Sequence, residues 1–454
     1  MELKRNHAAF ALLFVLALPS TAVHAAGFAI DYESARAIGM ATAGSASAAD
    51  ASTIFYNPAG LGYLDRNEVL GGGQFLLLRN QFRNEGSTIL GGALPTPGTS
   101  GPNAIPPSVL PWIYASYRLT PELTAGFALT APWGLRTDWS PSFVGRYQNE
   151  VSSLAVVDFN PTLAYRPTKW LSIAAGPNVE YAKVRLTQAL DFGSLCTAAL
   201  GLQTCGAGFG LVPGRSDGQA ENRGDSFGFG FTVGALAEPV PGTRVGITYR
   251  SQIDHHFSGA DQRFVVYPAA RAFLTAAGTP LALTGSGAST ALPLPARLTF
   301  GVKQSLTDRV DVLLDATLTF WDVFKSLSIT ADNPVTGASV VTQQGYRNAW
   351  RWAVGVEYKP NLNQPWNLRA GVAYDRTPIP LNLVQAALPD RDRIYASIGA
   401  SYQASPTWGA DVAYSHLFAV GPVPISRTGP SGDTLKGRFT FSGDVFALQV
   451  KYRY

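Results

Sequence analysis

The sequence predicts an all-β protein, a transmembrane antiparallel β-barrel of about fourteen strands. Three observations lead there. From residue 68 onward apolar residues recur at every second position, and aromatic residues close the ends of the runs. Short turns alternate with long loops through the whole of that region. Although 46% of the residues are hydrophobic, no stretch beyond residue 25 reaches the roughly eighteen consecutive apolar residues that a membrane helix requires.

Residues 1–25 have the layout of a cleavable export signal: Lys4 and Arg5, an apolar run from Ala8 to Leu18, then small residues up to Ala25. The mature chain is expected to begin near Ala26. Losing Glu2, Lys4 and Arg5 lowers the formal net charge from +4 to +3, too little to imply a nucleic-acid partner. Residues 26–67, which include STIFYNPAGL at 52–61, show neither strand alternation nor a helical period. They are too apolar and too rich in small residues for a disordered linker.

The alternation is clearest at the C-terminus. Phe446, Leu448, Val450, Tyr452 and Tyr454 share one face, with Ala447, Gln449, Lys451 and Arg453 on the other. Trp350 to Tyr358, Trp366 to Tyr374, Ile394 to Tyr402 and Trp408 to Tyr414 repeat it. A soluble sandwich would have no reason to end its core-facing runs in Trp and Tyr, whereas an outer-membrane barrel places aromatic girdles there. The glycines at 71–73 mark a bend or a close backbone approach in the first strand. Turns such as RLTPEL, YRPTKW and QASPTW are short, and the loops around 80–109, 131–150, 187–226, 257–295, 325–349, 376–392 and 417–442 are long. That asymmetry places the long loops outside a Gram-negative cell and both chain ends in the periplasm. Cys196 and Cys205, close together in an exported chain, are expected to close a loop as a disulfide.

Catalysis finds little support. The one G-x-S-x-G motif, Gly224 to Gly228, runs into a strand pattern and not into the turn and helix that a nucleophile elbow needs. His255 and His256 are neighbours in a strand and point to opposite faces, which disfavours a shared metal. No enzyme activity, cofactor or metal is expected. A plain aqueous porin keeps the barrel but needs an open channel, which residues 26–67 would obstruct.

AGFAI at 26–30 and AADASTIFYNPAGL at 48–61, together with GRY at 145–147, FNPTLAYR at 159–166, FWDVF at 320–324, DRTPIP at 375–380 and LPDRDR at 388–393, resemble the FadL/TodX family of outer-membrane transporters for hydrophobic compounds. Asn57, Pro58 and Ala59 are the most specific element; read alone, Asn-Pro is an ordinary turn signal. The resemblance implies that residues 26–67 form a hatch inside a monomeric barrel of residues 68–454, with Asn57, Pro58 and Ala59 in its gating segment. It also implies passive transport of a long-chain fatty acid or another hydrophobic small molecule, captured between the third and fourth outer loops. The resemblance further implies sideways release into outer-membrane lipid beside an irregular third strand, with neutral aromatic hydrocarbons as the alternative cargo; an outer-membrane lipase or esterase, suggested by the G-x-S-x-G motif alone, is the remote alternative function.

By the same resemblance Phe28 touches the ligand from the hatch. Gln188 and Thr342 stand where fatty-acid members carry basic residues. Lys183, Arg185 and Arg347 are nearby cations that either take over carboxylate recognition or are only charges at the loop boundary. In the fourth loop Ala270, Phe273, Leu274 and Ala277 share a helical face, which either lines the capture groove or packs on the loop. By parity Arg250, Arg297, Arg351 and Arg369 face inward with Asp254, Asp315, Asp375 and Asp411, as a lumen ion-pair network.

Overall fold

The structure, a computed structural model, describes residues 27–278, 285–332 and 339–454. The export signal and the end of the apolar loop segment, residues 279–283, lie outside the described residues. The strands group into fourteen barrel strands. These are β1 (Glu68–Asn84), β2 (Ser108–Arg118), β3 (Leu123–Asp138), β4 (Val151–Thr168), β5 (Leu171–Asp191) and β6 (Asp217–Val240). Next come β7 (Thr243–Arg250 and Ile253–Val265), β8 (Ser286–Leu294 and Arg297–Thr307), β9 (Val310–Thr319 and Ser326–Ala331) and β10 (Ser339–Gln343 and Ala349–Tyr358). The last are β11 (Trp366–Asp375), β12 (Arg393–Gln403), β13 (Trp408–Ala419 and Val423–Thr428) and β14 (Thr434–Arg453). Each pairs antiparallel with its neighbours, and β14 closes on β1 from Glu68↔Arg453 to Asn84↔Gly437.

Alternation sets which side of the wall each residue takes. On β14 Phe446, Leu448, Val450 and Tyr452 face outward while Val445, Ala447, Gln449 and Lys451 are buried inside. Outward aromatics ring the short-turn rim, where Trp366 packs on Tyr402 at 4.7 Å and Trp408 on Tyr452 at 4.8 Å. Trp352 and Tyr374 mark the opposite level. An apolar band between two aromatic rings is what lipid tails and headgroups select.

Two features depart from the sequence expectation. The segment 187–226 is not one loop, because β5 and β6 keep pairing past the membrane to Asp191↔Asp217. On β7, Arg250 and Ser251 are both buried, so the alternation inverts there and Asp254 faces outward, not inward.

Residues 27–67 fill the lumen, and nearly all are buried. They form only short helical turns, Ala35–Ile38, Thr53–Tyr56 and Pro58–Tyr63. Irregular backbone at membrane depth needs partners, and the wall supplies them. Asp315 accepts the Gly44 and Ser45 N–H groups at 3.0 and 2.9 Å, Gln449 accepts Ala35 N–H at 2.9 Å and Glu68 accepts Ala51 N–H at 2.7 Å. Arg36 pairs with Glu357, and Asp31 pairs with Arg297 and, at 3.5 Å, Arg351. The inward arginines therefore do form an ion-pair network, and much of it ties the hatch to the wall.

The hatch seats closely because the facing strands carry glycine. A Cβ on Gly371 would lie 2.2 Å from the Met40 carbonyl carbon, and one on Gly399 would lie 2.9 Å from Gly39 Cα. Gly371→Val is therefore expected to displace the hatch at a cost of about 1–3 kcal/mol. The expected reading is a raised permeability of reconstituted vesicles to a small hydrophilic dye. Wild-type dye retention in that variant would show that the hatch does not need this close seat.

Candidate ligand cavity and wall opening

The hatch begins against the third strand, and the wall is irregular there. β3 pairs with β2 only up to Ile113↔Leu129, and its register with β4 shifts between Thr130 and Trp133, at Pro132. Proline lacks the N–H that a continuing ladder would use, so the strand bulges. Hatch residues fill the break. Ile30 N–H donates to Pro132 O at 2.8 Å, Gly134 N–H to Phe28 O at 2.9 Å, and Ala131 N–H to the buried Glu33 carboxylate at 3.1 Å.

Above this break lies a cavity of about 430 Å³, within the size range of small-molecule sites. Its apolar lining includes Phe28, Leu154, Val184, Leu292, Leu327 and Ile379. Amides and hydroxyls of Gln148, Asn149, Ser152, Gln188, Thr342 and Gln385 are spaced among them. Phe28 is the link to the break: its ring stands edge-on to Trp321 at 4.7 Å, Phe324 at 5.9 Å and Trp133 at 6.1 Å. Edge-to-face stacking of this kind fixes ring orientation.

The loops that roof the cavity are held by the GRY stretch. Arg146 is buried and donates to Asp217 at 2.7 Å, to Gly214 O at 2.8 Å and to the Tyr147 hydroxyl at 2.6 Å. Tyr147 in turn donates to Asp217 at 2.8 Å. Burial and the nearby Asp191 and Asp217 carboxylates hold the Tyr147 hydroxyl far above its ordinary range, so it remains a donor at any physiological pH.

The structure sorts the residues singled out from sequence. Phe28, Gln188 and Thr342 line the cavity. Lys183 and Arg185 do not: by strand parity they face outward, Lys183 over the Tyr181 ring at 5.5 Å and Arg185 on Glu221 at 2.5 Å. Arg347 is exposed outside the lining. The alternation that puts Val184 and Leu186 inside puts Lys183 and Arg185 outside, and Arg347 lies exposed between strands, so none of the three stands in the cavity. Phe273 and Leu274, on the helix Pro268–Ala276, are buried with Phe192 and the bonded Cys196–Cys205 pair, away from the cavity. That helix packs on the third loop and does not line this cavity. Asn57 caps the turn at Pro58–Tyr63 by accepting Ala59 N–H at 3.1 Å and donates to Ala235 O at 3.0 Å, so the triplet Asn57, Pro58, Ala59 anchors the hatch near the short-turn rim. Ser226 of the G-x-S-x-G sequence sits within β6, with no elbow.

Most of the cavity lining escaped the sequence reading, which named only Phe28, Gln188 and Thr342 of it. Arg223, at the outer end of β6, touches the rim of the cavity, but it stands opposite the outward Arg185, about half of its side chain is exposed and Glu221 holds it at 2.6 Å. The alternation of GQAENRG at 218–224 was the available signal, but without the pairing partner it reads as loop.

A family model described as outer membrane protein transport protein (OMPP1/FadL/TodX) matches residues 16–454. The long-chain fatty acid transport protein of an Escherichia coli O6:H1 strain is 27% identical over 412 residues, 90% of each chain. A 47 kDa outer membrane protein of Pasteurella multocida is 26% identical over 451 residues, 98% of this chain and 97% of that one. Among solved structures, a Pseudomonas aeruginosa FadL homologue superposes with a TM-score of 0.84 at 24% identity, covering 94% of this chain and 99% of that chain. The Pseudomonas putida toluene transporter TodX gives 0.63 at 18%, covering 92% and 98%. The match over nearly the full length agrees with the closed barrel and the filled lumen: this chain belongs to the OMPP1/FadL/TodX family of outer-membrane transport proteins.

Proposed function

We propose that the protein, as a monomer in the outer membrane, takes up hydrophobic compounds passively through the loop-side cavity and releases them into lipid at the β3 bulge. The observation that carries this is the apolar cavity whose inner wall is Phe28, the residue bonded through its carbonyl to the bulge. A relative named for long-chain fatty acid transport supports the substrate class. Sideways release is favourable on transfer grounds, since each CH₂ kept out of water contributes about 0.8 kcal/mol. Asn57, Pro58 and Ala59 act as the fixed end of the hatch, and residues 27–33 as the part that moves.

The polar end of the cargo meets amides and hydroxyls. Arg223 is half-exposed and already engaged by Glu221, which also holds Arg185. A desolvated carboxylate needs a free charged partner to offset its burial. Cargo that is uncharged, or bound in its neutral form, therefore fits better than an anionic fatty acid. Binding of hexadecanoic acid and hexadecanol to the purified barrel, followed by tryptophan fluorescence at neutral pH, should give dissociation constants within a few-fold. An acid preference of about tenfold or more, lost in Arg223→Ala, would overturn the neutral-cargo reading while leaving hydrophobe uptake in place.

A further inference from the structure

Between β6 and β7 the strand ladder is interrupted. Pairing runs from Val265↔Gln219 to Asp261↔Arg223 at the loop side and resumes at Thr232↔Arg250 toward the membrane centre. Within the interval Phe231 and Ser251 exchange hydrogen bonds, Ser251 N–H to Phe231 O and Phe231 N–H to Ser251 Oγ, both at 2.9 Å. Three inward glycines on β6 face the break. A Cβ on Gly228 would lie 2.5 Å from Ile253 Cγ2, one on Gly230 2.5 Å from Ile253 Cγ1, and one on Gly224 3.4 Å from Phe257 Cδ1. The buried side chains of Ile253, His255 and Phe257 thus occupy the space beside β6 that ladder bonds and Cβ atoms would otherwise fill.

The outer face of this break is lipid-like. Phe227, Phe229 and Phe231 point outward, and Phe229, at 71%, is more exposed than any other outward apolar side chain among the described residues. Phe227 pairs with Tyr181, and the next outward positions above them, Lys183 and Asp225, are charged, so the three phenyls lie just inside the lipid boundary. On the β7 side the outward positions are polar: Gln252 donates to Asp254 at 2.8 Å, and His256 follows. The inner face of the break is cavity, because Phe257, Ala260 and Asn222 belong to its lining.

Unpaired strand backbone at the edge of the hydrocarbon is costly unless it lines a cavity or is buried by protein. Here it does both, and the buried side chains of Ile253, His255 and Phe257 stand between lipid and cavity. We infer that the β6/β7 break is a second lateral port, through which an apolar chain already dissolved in the outer leaflet enters the cavity directly, with Phe257 as its shutter. This rests on the uptake reading above and adds a membrane-side entrance to the aqueous one. Exposed phenyls lead an acyl chain to the break, the missing Cβ on Gly224 leaves the Phe257 ring space to turn aside, and the polar lip of β7 keeps a headgroup at the interface.

The test uses a diazirine-bearing hexadecanol and the full-length protein in lipid vesicles, with labelled residues mapped by mass spectrometry. The probe is delivered either preloaded in the bilayer or from water on cyclodextrin. Bilayer delivery is expected to label Phe227, Phe229 and Phe257 as well as cavity residues. The double variant Gly228→Cys, Ile253→Cys, cross-linked across the break, should lose cavity labelling from the bilayer and keep it from water. Cavity labelling from the bilayer that survives the cross-link would overturn the port, since the β3 bulge would then be the route. No cavity labelling by either route in the wild type would sink the uptake reading instead. Should the cross-linked variant fail to assemble, Phe257→Ala decides: faster cavity labelling from the bilayer supports the port, and an unchanged rate overturns it.

Discussion

Deleting residues 27–67 is expected to turn the closed barrel into an open, water-filled pore. A barrel of this strand number leaves a lumen unless something fills it, and in this protein the filling is the hatch. Its removal would also expose the inward charges of Arg297, Arg351, Asp315 and Glu357, which now pair with or accept from hatch groups. Water would solvate them. The barrel itself should still assemble, because the closing ladder between β1 and β14 involves no hatch residue. Planar-bilayer recordings should show a large, stable rise in ion conductance, while binding of hexadecanol at the Phe28 end of the cavity should disappear. A deleted barrel that conducts no more than the intact protein would mean that the loops, and not the hatch, seal the lumen.

Asp411→Ala should be the most destabilising single change in the wall. Asp411 is fully buried and accepts from Arg369 at 3.2 Å, Lys451 at 3.1 Å and Gln449 at 3.0 Å, with Ser401 alongside. Its loss would leave two buried cations, with Glu357, 3.7 Å from Arg369, the remaining ion-pair partner of one of them among the described residues. Removing one partner of a buried ion pair costs about 3–5 kcal/mol. In urea titrations read by the gel mobility of the folded barrel, Asp411→Ala should shift the midpoint down strongly. Asp411→Asn, which keeps acceptor geometry, should shift it less. A loss below about 1 kcal/mol would show that water already reaches this cluster.

Much of the wall was legible because strand parity is a local rule. The outward Phe446, Leu448, Val450 and Tyr452 and the inward Arg351, Arg369 and Asp411 follow from alternation and from nothing else. The rule fails where the backbone skips a step. At Arg250 and Ser251 two consecutive residues are buried, and every assignment beyond, Asp254 included, inverts. The same rule, extended consistently, would have turned Lys183 and Arg185 outward, since Val184 and Leu186 are the apolar members of that stretch. The site was legible only in part: Phe28, Gln188 and Thr342 reach the cavity, whereas Arg223 and the packing of Phe273 and Leu274 on the disulfide loop depend on which distant segment lies opposite.

By itself the sequence determined the barrel, its orientation, the family and the presence of a non-strand segment ahead of the first strand. Period-two burial and aromatic girdles are written within a dozen residues or so of chain, and loop asymmetry in the spacing between the strand segments. The tertiary structure alone decided how that segment is held, where the cavity lies and how far each strand ladder runs. Those depend on contacts between residues hundreds of positions apart, such as Asp31 with Arg297 and Gly39 with Gly399, and on ladder bonds that are absent at the β3 bulge and beside Gly228. Pro132 marks the first of these breaks in the sequence, but the second is a property of the pair and shows in neither strand alone.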